Sequence, residues 1–332
     1  MAASGFYRVV IDFAALRSRF RGEVLVPAVE GYEAARRIWN GMIDRRPEAI
    51  ARCAQPDDVL QAVRFAVERG MYPAVRAGGH NVAGTAMVEG GLVIDVSRMK
   101  RITVDLQART ATAETGLTWG EFDNETCSHG LATTGGLVST TGIAGLTLGG
   151  GIGWLMGRCG LACDNTLAYD VAMADGQLIQ ATADSHPDLF GALKGGGGNF
   201  GVVTSITYRL HPIHTIASGV LLFPFSQGRD VLRRFRDFVS RDLPDELIVY
   251  AAAMRLPIGI RAIAILPAYC GEDLGKAQPW MDSLKQFGTV LADLTARVPY
   301  LTMQQMLDAG VPHGIRSYWK SSFLEDLPDA AV

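Results

Sequence analysis

Several familiar signatures are missing from this 332-residue chain. Basic runs are absent: 31 Lys and Arg against 34 Asp and Glu leave a net charge of −3, without the clustered cations that neutralise nucleic-acid phosphates. No apolar run reaches the roughly 18 residues needed to cross a bilayer. The N-terminus, MAASGFYRVVIDFAALRSRF, lacks a secretory apolar core with a small-residue cleavage site. A cytoplasmic protein with neither nucleic acid nor membrane as partner is therefore expected. Cysteine is sparse, and Cys53, Cys127, Cys159, Cys163 and Cys270 form an odd, scattered set ill suited to a disulfide framework. Cys159 and Cys163 have no second Cys pair or spaced His pair to complete a tetrahedral metal site, so no metal is expected and they read as buried thiols. Walker A, G-x-S-x-G and H-E-x-x-H sequences are also missing, and with them support for NTPase, α/β-hydrolase and zincin chemistry.

Glycine, by contrast, is concentrated. Of 38 glycines, 25 lie between Arg76 and Gly201. Val, Ile, Leu and Thr are interleaved among them, a pattern of strands joined by tight turns rather than of a flexible linker. Something is expected to lie close to that backbone.

The organisation along the chain is α+β. PDDVLQAVRFAVERG, from Pro56, places Val59, Ala62, Val63 and Ala66 on one helical face, with acidic residues in the first turn and Gly70 as a stop. Strands are predicted in YPAVRA, GLVIDVS and TATAETG. The segment from Leu131 to Asn165 is too glycine-rich for a stable helix and too apolar for an exposed loop, and predicts buried turns and short strands. DVAMAD, QLIQATA and the second half of GGGGNFGVVTSITYRLHP follow as strands, with a helix around HPDLFGALK. Beyond about Ser218 the pattern changes to an antiparallel sheet (GVLLFPF, IVYAAAMRL, RAIAILPAYC) backed by helices in DVLRRFRDFV and GKAQPWMDSLKQFG. Along the first of these, Val231, Leu232, Phe235, Phe238 and Val239 share a face. Two domains are expected, residues 40–214 and 215–332.

Gly196, Gly198 and Gly201 spell G-x-G-x-x-G, but a helix precedes this motif and a strand follows, the reverse of a dinucleotide-binding βαβ unit. A nicotinamide-linked Rossmann enzyme is thereby weakened. The loop Arg76-Ala-Gly-Gly-His80-Asn-Val-Ala-Gly84 says more. Its glycines permit positive φ and let several N–H groups converge on one anion. Alone, His80 reads as a hydrogen-bonded structural histidine. Together with two further glycine clusters downstream, the loop reads as one of three backbone cradles for an extended ligand.

The ordered motifs RAGGHNVAG, GLVIDVS, TTGIAGLTLGGGIGWLMGRCGLACDN, VAMADG and HPDLFGALKGGGGNFGVVT resemble the FAD-linked oxidases of the vanillyl-alcohol oxidase superfamily, in particular the berberine-bridge-enzyme-like branch widespread in bacteria. The likeness is close over roughly Pro47–Pro212 and looser beyond, where GIRSYWKSSFLEDL is similar to part of the family's substrate domain. It implies an FAD-binding domain of the PCMH type, made of two α/β subdomains, followed by the substrate domain. It implies FAD linked covalently through His80, with Arg76, Gly78, Gly79, His80, Asn81 and Gly84 forming the loop that takes the pyrophosphate. Gly142, Gly145, Gly150 and Gly151 would run beside the isoalloxazine and ribityl chain, and Gly201 with Val203 near the adenine.

The implied chemistry is hydride transfer from a hydroxylated small molecule, such as a sugar, an alcohol or a secondary metabolite, to flavin N5, with O₂ as the expected oxidant. Val138 stands where some relatives place a second flavin-linking cysteine, so single attachment is expected. Asp164 and Asn165 are expected to be structural. The chain stops at Val332 without the family's returning C-terminal segment, which usually supplies the base. Tyr250, Tyr269, Tyr300 and Tyr318 sit in no recognisable catalytic motif, and no catalytic residue is assigned. A truncated, catalytically silent flavin-binding protein is the alternative.

Overall fold

The computed structural model describes residues 11–256 and 258–332. Three larger sheets organise it, and a fourth is a two-stranded pair of Leu131–Ala132 with His211–Pro212. In the first, Ala49–Arg52 and Pro73–Arg76 lie parallel to Leu92–Asp95 on its two sides, and Glu23–Leu25 adds antiparallel to Ala49–Arg52. The Pro56–Glu68 helix packs on this sheet through the predicted stripe, with Val59, Ala62, Val63 and Ala66 all buried. Pro56 opens it without wasting an N–H, and Asp57 and Asp58 complement the dipole of its first turn. Phe13, Leu16 and the Glu23–Leu25 strand share this layer, so the packed unit begins upstream of residue 40. The strand register sets Arg52, Asp95 and Arg76 side by side at the C-terminal ends of parallel strands.

The second sheet is antiparallel, in the order Ile102–Asp105, Thr110–Glu114, Val202–Arg209, Thr166–Ala172, Leu178–Thr182. The Trp119–Ser128 helix packs beside it, opened by a capping box between Thr118 and Glu121. Trp119, Phe122 and Tyr208 meet edge to face in the core between them.

The glycine-rich stretch corrects one expectation. In place of turns and short strands it holds a helix at Ile143–Leu148, another at Met156–Cys159 and a 3₁₀ turn at Ala162–Asn165, with one two-residue strand at Leu131–Ala132. Burial of Ile143, Ala144, Thr147 and Leu148 outweighs the low helix propensity of the glycines around them.

The third sheet is also antiparallel. Arg261–Tyr269 is its spine, paired along its whole length with Leu247–Arg255 and on its other side with Leu221–Pro224 and Thr215–Ser218. Alternate residues of the spine serve opposite layers. Ile263 and Ile265 meet Val231, Phe238, Met281 and Leu284 of the helices Gly228–Val239 and Gln278–Lys285. Ala264, Leu266 and Ala268 meet Trp154, Leu155, Ile216 and Tyr300, which tie this sheet to the glycine-rich domain. The expected antiparallel sheet backed by helices is present. Val239, placed on the apolar helix face by sequence, is 40% exposed, at the end of that helix.

Candidate functional site

The loop after Pro73–Arg76 turns at Gly79, whose φ of +68° lies where a side chain would be strained. The N–H groups of Gly78, Gly79, His80 and Asn81 find no acceptor among the described residues. Four consecutive N–H groups are thus left available to an acceptor from outside the described residues. Against the back of the loop lies the turn at Gly142, so close that a Cβ on Gly78 would sit 2.4 Å from the Gly142 nitrogen. Both turns border an open cleft of about 580 Å³, lined by Arg76, Ala77 and Gly78, by Ser139 and Thr140, by Lys100 and Glu121, and by His313. Within it, Lys100 is paired with Glu121.

Arg76 is held at the edge of the cleft. Its guanidinium donates to the Ala35 carbonyl and lies 3.6 Å from the fully buried Asp95, which also faces Arg52 at 3.7 Å. The Arg76 Nε is buried without a partner.

The His80 ring is fixed on several sides. Its Nε2 is 2.9 Å from Thr140 Oγ1, Trp39 stacks on it with centroids 5.1 Å apart, and His313 meets it edge-on at 5.5 Å. Burial and the neighbouring His313 imidazole hold its pKa down at about 4, against the pull of Asp308. At neutral pH it is an uncharged imidazole, its Nε2 and Nδ1 facing the hydroxyls of Thr140 at 2.9 Å and Thr141 at 3.5 Å.

Other residues expected at the site are placed as follows. Asn81 is exposed, and its carbonyl accepts from the Gly84 N–H. Gly84 packs on Ile43, Gly151 on Ala162 and Leu146, and Gly201 on Val171. Gly145 faces open space, and the nearest atom to a Cβ on Gly150 would be 3.9 Å away. Val203 is buried, its carbonyl accepting from Thr115 Oγ1 at 2.8 Å. Of the expected site residues only Arg76 and Gly78 line the cleft; Gly79, His80, Asn81, Gly84, Gly142, Gly145, Gly150, Gly151, Gly201 and Val203 do not.

Asp164 and Asn165 do structural work. Asp164 accepts from the Leu161 N–H, while Asn165 donates to the carbonyls of Cys159 and Leu161 and accepts from His211. Tyr300 is fully buried, Tyr318 is exposed, and neither they nor Tyr250 and Tyr269 line the cleft. Sequence reasoning missed His313, Trp39 and Asp308. The only signal was a lone histidine just ahead of GIRSYWK, with nothing local to connect it to His80.

Residues 47–182 match a family model described as an FAD binding domain. The chain is 33% identical over 294 residues to an FAD-linked oxidoreductase of Dictyostelium discoideum, covering 88% of this chain and 63% of that protein. It is 39% identical over 193 residues to the (R)-6-hydroxynicotine oxidase of Paenarthrobacter nicotinovorans, covering 58% of this chain and 42% of the relative. The crystal structure of 6-hydroxy-D-nicotine oxidase from Arthrobacter nicotinovorans aligns with a TM-score of 0.80 at 30% identity, over 89% of this chain and 66% of that one. The chain thus spans less than two thirds of the length of the two curated relatives.

Proposed function

We propose that the chain is an FAD-linked oxidoreductase that holds FAD with the pyrophosphate on the Gly78–Asn81 cradle and a covalent link at His80. The observation that carries this reading is the run of four unpartnered N–H groups beside an uncharged imidazole. Such donors favour a phosphate, and the half-buried Arg76 adds a cation beside them. Gly84 shapes the same loop, and Gly142 allows the second turn to approach it. Gly145 and Gly150, with open space beside them, and Gly151 are assigned to the flavin and ribityl side, Gly201 and Val203 to the adenine side.

Bound FAD supplies a two-electron acceptor for hydride from carbon. The proposed substrate is a hydroxylated small molecule such as a sugar, an alcohol or a secondary metabolite, with O₂ taking the electrons afterwards. One observation favours flavin binding without turnover: none of the candidate tyrosines borders the cleft. Bleaching of the flavin by a member of an alcohol, sugar and amine panel under anaerobic conditions separates turnover from silent binding. The covalent link is tested by acid precipitation: yellow colour should stay on the wild-type polypeptide and leave with the supernatant for His80→Ala. Colour that leaves the wild type as well removes the covalent claim.

A further inference from the structure

Residues after the Tyr300–Gln304 helix form a strap that contributes Gln305 and His313 to the lining of the cleft. Its first anchor is Asp308, whose carboxylate accepts from the Ser139 N–H at 2.8 Å and from the Ser139 hydroxyl. The rest lies along Trp39–Gly41. Trp39 Nε1 donates to the Val311 carbonyl at 3.0 Å, Gly314 N–H to the Trp39 carbonyl at 2.9 Å, and Gly41 N–H to the Ile315 carbonyl at 3.0 Å. Asn40 closes the series by donating to the Ser317 carbonyl at 2.9 Å and accepting from the Ser317 N–H at 3.0 Å. Trp319 then packs edge-on against Trp39 at 5.8 Å.

These bonds place the two rings that flank His80. Trp39, stacked on one side, also donates its backbone N–H to the Gly79 carbonyl at 3.1 Å, and His313 stands edge-on at another side. We propose that residues 311–319 clamp the His80 loop, that His313 is a positioning residue for the His80 ring, and that the clamp must be seated for the covalent link to FAD to form. The proposal rests on the flavin reading above.

In the step it serves, a bond forms between the lone-pair nitrogen of the His80 ring and the carbon of the flavin C8 methyl, while the other ring nitrogen loses its proton and the methyl one hydrogen. Two electrons and two protons leave, and dioxygen takes them to become hydrogen peroxide. The His80 lone pair must point at that carbon, and a ring gripped by Trp39, Thr140 and His313 has little freedom to turn away.

The test incubates the full chain with FAD and oxygen and reads total bound flavin and its acid-stable fraction separately. His313→Ala and Asn40→Ala are expected to bind FAD with the acid-stable fraction, or its rate of formation, reduced at least fivefold. In His313→Ala the acid limb of the attachment rate should also move toward higher pH, because the imidazole that depresses His80 is gone while Asp308 remains. A merely structural role would not shift that limb. Acid-stable yield and rate equal to wild type in both variants overturn the clamp, whereas a wild-type chain that binds no flavin overturns the underlying reading. Should either variant fail to fold, hydrogen exchange on the wild type decides: slow exchange at the Gly41, Gly314 and Ser317 amides supports a seated strap, and exchange at unstructured rates overturns it.

Discussion

The side-chain amide of Gln304 donates to the carboxyl of Asp123 at 2.8 Å, in a place where both residues are fully buried. This contact joins the Trp119–Ser128 helix to the helix that leads into the strap. Asp123 Oδ1 and Gln304 Oε1 are both left without partners, and both are acceptors unless the acid carries a proton. Burial pushes the Asp123 carboxyl up to about 7, and the Gln304 bond lowers it by less.

The sign of the pH dependence follows. Between the ordinary value of 3.8 and about 7, the folded state holds a proton that the unfolded state has released. The contribution is therefore whole below about pH 4 and lost as pH rises through 7, a difference on the order of 4 kcal/mol. Asp123→Asn should remove that part of the slope and be the more stable form at pH 8. Urea midpoints of both proteins at pH 5 and pH 8 check this, and a slope unchanged by the substitution would contradict it.

Two local features are legible in the sequence. The Pro56–Glu68 helix announces itself through a spaced apolar stripe and a proline start, and the tight turn of the His80 loop through its glycines, two of which take positive φ. The helix at Ile143–Leu148 was illegible because burial, not propensity, makes it. His313 and the Asp123–Gln304 pair were illegible for another reason: each joins residues far apart in sequence, whose local contexts carry no sign of the partner.

Asp58 offers a second stability test. Its carboxylate is buried and accepts from the Arg21 N–H at 2.9 Å, the Gly22 N–H at 3.1 Å and the Ala54 N–H at 2.8 Å. Asp58→Ala strands three backbone donors at once, and a cost of about 3 kcal/mol or more is expected. Guanidinium denaturation measures the cost. Hydrogen exchange should show faster opening at Arg21 and Gly22 before the rest of the fold.

The five cysteines are free, and burial raises every one of them: Cys159 to about 11, Cys127 and Cys270 to about 12, with Cys53 and Cys163 also lifted. The thiolate is the reactive form, so at pH 8 a thiol at about 11 presents roughly one part in a thousand. Native protein should react slowly with a disulfide reagent, and denatured protein should release all five thiols rapidly. Fast labelling of any cysteine in the native state would show that its site opens to water.

The Gly78–Gly142 contact predicts opposite outcomes for two similar substitutions. A Cβ on Gly142 would lie 2.5 Å from the Gly78 nitrogen, and backbone cannot retreat as a side-chain tip can. Gly142→Ala should therefore push the cradle loop out of place, at a cost of about 3 kcal/mol and with loss of bound FAD. Gly145 lies three residues on, inside the short helix, exposed and with no atom within 4 Å of a Cβ. Gly145→Ala gains helix propensity without a clash, so folding stability should rise by about 0.5–1 kcal/mol. If the flavin runs beside Gly145, its new methyl should weaken FAD binding even as the apoprotein gains stability. Thermal denaturation of the apoprotein and flavin titration of the same samples separate the two effects, and unchanged flavin affinity in Gly145→Ala would remove that glycine from the cofactor site.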